Sequence, residues 1–432
     1  MKVGTAAAVI TPPVGLDLSG WSFGPSVAVH DELHAKAIYF EATNGGKFLL
    51  ITADLIGLDT VVADSIRGKL ADAIGMSNPD IMISCSHTHS GPATMFLRRW
   101  GTIERGYLRK IALSLFDVGV RAVDAAAGGD ARLGFAGIPI SGICVNRRGD
   151  VGNNVDEELG ILHIENTGKP YATVLNYSCH PVAAHNYNNV ISADYPGFAA
   201  KLIDSARGPD HTTFFTLGAA GDINPVAFHH IRYAEEYGTR LGRAVTSGLP
   251  NLQMMDSPNI ASATLTVGLP VQELPEAQYL ENEMSISRAE AAKLSGERAK
   301  RNTIDNALIN AEWAEEALEI VKAGNQARYL EMELQAVGIG DLGFLALPVE
   351  LFVDIGRSIK TASPFAHTLI VEMANGSLCY LPTSVAYRRG GYETEFSAKV
   401  YGTYMLTEEA QALVENGAAE LLNTVWSELR GM

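Results

Sequence analysis

Ile81-Met82-Ile83-Ser84 running into Cys85-Ser86-His87-Thr88-His89-Ser90-Gly91-Pro92 reads as a short apolar strand that delivers two histidines to a Gly-Pro turn. The strand reading is Asp80 to Ser84, and upstream of it Ala35 to Glu41 and Lys47 to Ala53 read the same way. Between them, Val61, Val62, Ile66, Leu70 and Ile74 recur at helical spacing and predict a helix over Val61 to Ile74 with those residues on one face. Strand, helix and strand in alternation is α/β patterning. Further strands are expected at Ala131 to Phe135, Gly160 to Glu165, Ala172 to Tyr177 and Thr213 to Leu217, each bounded by turn residues. From Glu273 to about Met332 the composition turns to Ala, Glu, Lys, Arg and Leu, with no Pro after Pro275. That segment predicts a helical insertion, as a solvated pair packed on the body or, alternatively, a mobile lid. Glu333 to Pro348 then returns to strand patterning and leads into Glu350. The expected fold is α/β, a mixed β-sheet core flanked by helices with a helical insertion at about 273–332, in a single catalytic domain over residues 1–432.

The chain has 432 residues, 47% of them hydrophobic, which is enough to bury a large core. A net charge of -16 argues against nucleic acid and anionic membrane surfaces, because both require clustered Lys and Arg. No run reaches the ~18 apolar residues that span a bilayer. The opening Met1-Lys2-Val3-Gly4-Thr5 lacks a long apolar signal region, so a cytoplasmic location is expected. Four cysteines, Cys85, Cys144, Cys179 and Cys379, have no paired spacing and read as reduced, buried thiols.

Chemistry gathers at four stations. His87 and His89 stand at i and i+2, and in extended backbone their imidazoles face the same way. Such a pair can bind a metal, can divide into a ligand and a proton carrier, or can be structural. The strand Ala172 to Tyr177 ends in Ser178-Cys179-His180-Pro181, which repeats the strand, histidine and proline design. Leu217-Gly218-Ala219-Ala220-Gly221-Asp222-Ile223-Asn224-Pro225 is a small-residue loop that allows close backbone approach to a ligand, or simply a tight turn capped by Asp222. Glu350 lies inside the apolar run Leu347 to Phe352, where a carboxylate needs a metal or an arginine as partner.

In that order and spacing, over nearly the whole chain, these stations resemble the catalytic domain of neutral, non-lysosomal ceramidases. The resemblance is carried by Val3-Gly4 to Pro12, Thr88 to Pro92, Asn146-Arg147, His180-Pro181, Gly221-Asp222, Pro348-Val349-Glu350 with Gly356-Arg357, and Asn375 to Tyr392 with Tyr380, Thr383 and Tyr387. It implies a Zn2+ site whose ligands fall on His87, His180, Glu350 and Tyr380, a set that zinc chemistry accepts. It further implies that His89, Arg147 and Tyr392 stand near the reacting carbonyl as proton carrier and oxyanion donors. Asp54, Asp194 and Asp222 are candidates to orient a ligand imidazole.

Where the family carries a serine, this chain has Asn224. An amide is no nucleophile, so a water acidified by the metal is the expected attacking species, with Asn224 positioning substrate. The sequence also stops without the immunoglobulin-like domain that follows in full-length ceramidases. The expected partner is therefore a small-molecule substrate, an N-acyl compound rather than ceramide. An ester, a lactone or a sugar-linked compound on the same metal site is the alternative within enzymes, and a non-catalytic metal- or ligand-binding protein is the alternative outside them.

Overall fold

A computed structural model describes residues 1–20, 24–126, 131–149, 152, 154–249, 251–255 and 258–431. The first sheet has the order β1-β2-β3-β4, with β1 Lys2–Val9, β2 His34–Glu41, β3 Lys47–Ala53 and β4 Ile81–Cys85. The β3/β4 pair is parallel and the others antiparallel. Two helices, α1 Thr60–Ile74 and α2 Arg105–Asp124, belong to this half.

The second sheet contains β5 Arg132–Pro139, β7 Glu158–Asn166, β8 Lys169–Tyr177, β9 Thr212–Leu217 and β11 Gln253–Met255, in the order β9-β8-β7-β5-β11. Between its strands the chain forms a small ribbon in which β6 Cys144–Asn146 pairs antiparallel with β10 Ile223–Pro225. The third sheet has β12 Ile260–Pro270, β13 Tyr329–Ile339, β14 Leu342–Ala346 and β16 His367–Val371. Beside it, β15 Val349–Leu351 pairs parallel with β17 Cys379–Leu381. The sheets are mixed, as the α/β patterning predicts.

Period-two alternation explains the layers. Ile38, Phe40, Phe48 and Leu50 of the first sheet, Leu162, Ile164 and Val174 of the second, and Val337, Phe344 and Leu369 of the third point into one common core. The neighbouring residues point the other way: Tyr39, Leu49 and Ile51 pack on Ile111 and Leu115 of α2. Ile161 and Leu175 pack likewise on Ala199 and Ile203 of α3 Asp194–Arg207 and on Leu241 of α4 Ile231–Thr246. Each fully buried side chain of this size contributes roughly 1.5–3 kcal/mol. The segment between β12 and β13 forms two helices, α5 Ala277–Gly296 and α6 Arg301–Ala323. Ile309 of α6 is buried in the main core, and Arg98 and Arg99 pair with Glu316 and Glu312 of the same helix. No helix among the described residues is long and apolar enough to cross a membrane.

One sequence expectation needs correction here. Val61 is 81% exposed, and the buried face of α1 is Ala63, Ile66, Arg67 and Leu70. Arg67 is tolerated inside because its guanidinium donates to the carbonyls of Ile81 and Asn78, each at 3.1 Å, and to Glu333 at 2.7 Å.

All four cysteines are free and buried. Burial first, then the nearby carboxylates, pushes the Cys85 and Cys379 thiols up to about 12, away from reactivity.

Candidate metal centre

Each sequence station lies at the carboxyl end of a strand in a parallel pair, or within one, where open α/β sheets gather ligands. Backbone hydrogen bonds tie these ends together across the sheets. Cys85 N donates to Met373 O at 3.1 Å, and Asn375 N to Ile83 O at 2.7 Å. On the other side, Gly218 N donates to Tyr177 O and Glu372 N to Leu217 O, both at 3.0 Å. Gly221 N reaches Leu351 O at 2.8 Å. This last contact explains the small-residue loop: a Cβ on Gly221 would stand 2.6 Å from the Glu350 carbonyl oxygen. The loop is small because the Glu350 strand packs against it.

The histidine pair converges by a different route from the one the i, i+2 spacing suggests. β4 ends at Cys85, and His87 takes a left-handed backbone, φ 65°. That conformation is sparsely populated for a non-glycine residue and costs of order 1–3 kcal/mol. The rings of His87 and His89 nevertheless meet edge to face at 4.8 Å, and His180 lies 5.1 Å from His87. Among the described residues, His87, His89 and His180 offer ligand nitrogens that all lie within 4.8 Å of one another. They can hold a metal ion.

The tautomers are fixed by backbone carbonyls. His87 Nδ1 contacts Ile56 O at 2.5 Å, His89 Nδ1 contacts Gly20 O at 2.8 Å, and His180 Nδ1 contacts Ala220 O at 2.6 Å. A carbonyl only accepts, so each Nδ1 carries a proton, and in the neutral imidazole Nε2 is the nitrogen with the lone pair. The Nε2 atoms of His87 and His89 are buried with no hydrogen-bond partner. His180 Nε2 faces Glu350 Oε2 at 2.8 Å, and His87 Nε2 lies 3.6 Å from the same oxygen. Burial lowers the His180 pKa, against the pull of Glu350. With Nδ1 committed to Ala220 O, the 2.8 Å contact between Nε2 and Glu350 Oε2 calls for a positive charge, either a second proton on the ring or a cation held by both groups, and the donor set fits a metal ion.

Glu350 and Tyr380 are register partners in the β15/β17 pair. Both are buried, and the Tyr380 hydroxyl accepts from Arg147 Nη2 at 3.3 Å. Burial alone would raise the Glu350 carboxyl, but the imidazoles of His87 and His180 hold it well below the usual range. Arg147, Asn224, His89 and Tyr392 line one cleft of about 520 Å³ together with His180 and Tyr380. Trp100 stacks on Tyr392 there at 6.2 Å, and Phe228, Phe396 and Asn306 of α6 complete the walls.

The three aspartates do not orient imidazoles. Asp54 accepts from His34 N, Asp194 from Ala184 N and Tyr195 N, and Asp222 from Val353 N and Asn146 Nδ2. They hold loop backbone, because the loop carbonyls of Ile56, Gly20 and Ala220 already occupy Nδ1 of His87, His89 and His180. Burial pushes the Asp194 carboxyl up to about 7 and that of Asp222 up to about 6.

Sequence reasoning missed three groups. Glu372 Oε2 accepts from Ala220 N at 3.1 Å and Leu351 N at 2.8 Å, and burial, then the charge of Glu350, pushes its carboxyl well above the usual range. Glu393 joins Arg147 and Arg148. The Tyr401 hydroxyl donates to Glu350 Oε1, which leaves Oε2 as the oxygen turned to His87 and His180. Tyr401→Phe is therefore expected to weaken metal affinity by roughly 10–100-fold, as loss of a hydrogen bond behind a ligand does. Competition with a chelating dye measures this directly, and an unchanged affinity would remove Tyr401 from the site.

The chain matches the family described as neutral/alkaline non-lysosomal ceramidase, N-terminal, over residues 1–228. Neutral ceramidase B of Dictyostelium discoideum is 22% identical over 224 residues, which are 46% of this chain and 31% of that protein. Neutral ceramidase of Drosophila melanogaster is 23% identical over 256 residues, 52% of this chain and 36% of the other. These matched stretches span about a third of the relatives' length. Among solved structures, neutral ceramidase from Pseudomonas aeruginosa superposes with a TM-score of 0.74 at 16% identity, covering 100% of this chain and 75% of that one. A ceramidase complexed with C2 gives 0.75 at 17% identity, covering 99% and 75%. At such identities the likeness is one of fold.

Proposed function

The chain belongs to the neutral/alkaline non-lysosomal ceramidase family, and on that premise we propose that it is a zinc-dependent hydrolase that cleaves the amide bond of a small N-acyl compound. The observation that carries the reading is the convergence of His87, His180 and Glu350 with both imidazoles pre-set to present Nε2. His87, His180 and Glu350 would hold the ion, with Tyr380 as the further oxygen ligand. When bound, zinc supplies Lewis acidity to the carbonyl oxygen and acidifies the attacking water.

The protein's own groups do the rest. Burial, then the neighbouring imidazoles of His87 and His185, keeps His89 well below its ordinary value, so His89 Nε2 is unprotonated near neutral pH. It can take the proton from the water and pass it to the leaving amine. Arg147 and the Tyr392 hydroxyl donate to the oxygen on which negative charge develops. Asn224 offers an amide where a covalent mechanism would need a hydroxyl or thiol, so the water attacks directly.

The cleft supports a compact substrate: about 520 Å³, aromatic walls, and a floor with Arg147, Arg148 and Glu393. Its volume is that of a site for a drug-sized molecule. The net charge of -16 also disfavours approach to anionic lipid surfaces. Zinc-loaded protein is expected to cleave a soluble N-acyl compound with kcat/KM at least about tenfold above that for a short-chain ceramide, a difference of about 1.4 kcal/mol. Mass spectrometry during turnover should show no acyl adduct. A tenfold preference for the ceramide, or an acyl-enzyme, would contradict the reading.

A further inference from the structure

Asn224 pairs with Val145 in the β6/β10 ribbon, and Arg147 follows directly on β6 with its N–H donating to Asp222 O at 2.9 Å. A guanidinium has five N–H groups and no acceptor. Arg147 Nε donates to Glu393 Oε1 at 3.0 Å. Its Nη2 donates to Gly221 O at 2.7 Å and to the Tyr380 hydroxyl at 3.3 Å. Its Nη1 donates to Asn224 Oδ1 at 3.3 Å. These bonds use four of the five hydrogens and leave one on Nη1. Because the guanidinium can only donate, the same contact fixes the Asn224 amide: Oδ1 must face Arg147, and the Nδ2 hydrogens are left for a ligand. Both residues line the cleft.

Glu393 determines where that pair of donors stands. Its side chain is 4% exposed, its Oε1 accepts from Arg147, and its Oε2 accepts from Arg148 Nη1 at 2.5 Å. It stands in the five-residue π-helical turn Tyr392–Phe396, entered from Gly390 and Gly391 at φ 67° and 112°. Such turns recur at functional sites because the wider winding re-aims side chains. Here it brings Tyr392, Glu393 and Phe396 to the same cleft.

We propose that Glu393 is the positioning residue of a two-donor clamp, Arg147 Nη1 and Asn224 Nδ2, that joins the Tyr392 hydroxyl in receiving the developing negative charge of the substrate carbonyl. The proposal rests on the amide-hydrolysis reading above. It gives Asn224 a donor's role at the position where the family carries a hydroxyl. It also assigns the cluster a charge: two guanidiniums and one carboxylate sum to +1, enough to favour an oxyanion without retaining the carboxylate product.

That charge provides a readout that a merely structural residue would not move. The variants are compared with wild type in zinc-loaded protein, measuring kcat and KM for the best N-acyl substrate and the affinity for hexanoate by calorimetry. Glu393→Gln removes the negative charge without changing the shape. It is expected to lower kcat about tenfold or more with KM little changed, since an oxyanion donor acts in the transition state. The same variant is expected to bind hexanoate about tenfold more tightly, because the floor now carries two uncompensated cations. Glu393→Asp keeps the charge but withdraws it by one methylene, so kcat should fall while hexanoate affinity stays at the wild-type value. Asn224→Ala should weaken both. If Glu393→Gln leaves kcat within about twofold, or lowers kcat and hexanoate affinity together as local collapse would, the clamp is overturned. Failure of the amide-hydrolysis reading has a different signature, wild-type protein inert towards every N-acyl compound. In that case an unmoved hexanoate affinity in Glu393→Gln would overturn the clamp as well.

Discussion

Glu350→Gln is expected to abolish metal binding and turnover together. The carboxylate is buried, with Oε2 2.8 Å from His180 Nε2 and Oε1 bonded to Tyr401. The amide keeps the shape and one acceptor but removes the negative charge that compensates a divalent ion. Two neutral imidazoles and a tyrosine are then left to neutralise it in a site where an uncompensated charge costs several kcal/mol. Metal affinity should fall by at least about 10³-fold on that scale. The readout is thermal unfolding with and without zinc: a ligand at a hundred times its Kd stabilises the native state by about 2.7 kcal/mol. Zinc should raise the wild-type midpoint and leave that of Glu350→Gln where it was. A variant that loses activity but keeps the zinc-induced shift would place Glu350 in the chemistry rather than in the ion's shell.

Arg147→Lys should cost roughly 10²–10³-fold in kcat while KM changes little, the loss expected when an oxyanion donor is removed. The exchange keeps the charge but not the fork. Arg147 simultaneously addresses Glu393, Asn224, Gly221 O and the Tyr380 hydroxyl. A lysine has three donors on one nitrogen and cannot span these partners. Steady-state kinetics on the N-acyl substrate decide the matter. A variant within about threefold of wild-type kcat would mean that Arg147 serves charge balance alone, since an interaction made only in the transition state must appear in kcat.

The strands were legible because apolar runs bounded by turn residues are a local signal; β2, β3, β4 and β9 begin and end within a residue of their expected limits, and β8 ends at Tyr177 as expected but begins three residues earlier, at Lys169. The inward face of α1 was not fully legible. Helical spacing places Val61 with Ile66 and Leu70, but Val61 lies in the exposed first turn, and the fourth inward position is taken by Arg67. An arginine is read as polar until its acceptors are seen, and two of them are carbonyls around the next strand.

At the site, the motifs that end strands were readable one by one, and the structure brings His87, His89, His180, Glu350 and Tyr380 together. What local reasoning could not supply were groups defined only by distant partners. Glu393 is 246 residues from Arg147, and Tyr401 reaches Glu350 across 51 residues. Nothing in the sequence around Glu393 distinguishes it from a solvated acid except the adjacent Gly390-Gly391-Tyr392. The imidazole orienters were missed for a related reason. Carboxylates are visible in sequence as candidates, whereas the carbonyls of Ile56, Gly20 and Ala220 that do the orienting belong to residues with no polar side chain.

The position of the metal is the most direct test of the account. Anomalous diffraction at the zinc edge, from crystals of zinc-loaded protein, is expected to show one ion within about 2.0–2.3 Å of His87 Nε2, His180 Nε2, Glu350 Oε2 and the Tyr380 hydroxyl, with His89 outside the shell. An ion held by His87, His89 and His180 with Glu350 out of reach would contradict it, because His89 would then be a ligand and not the group that moves the proton.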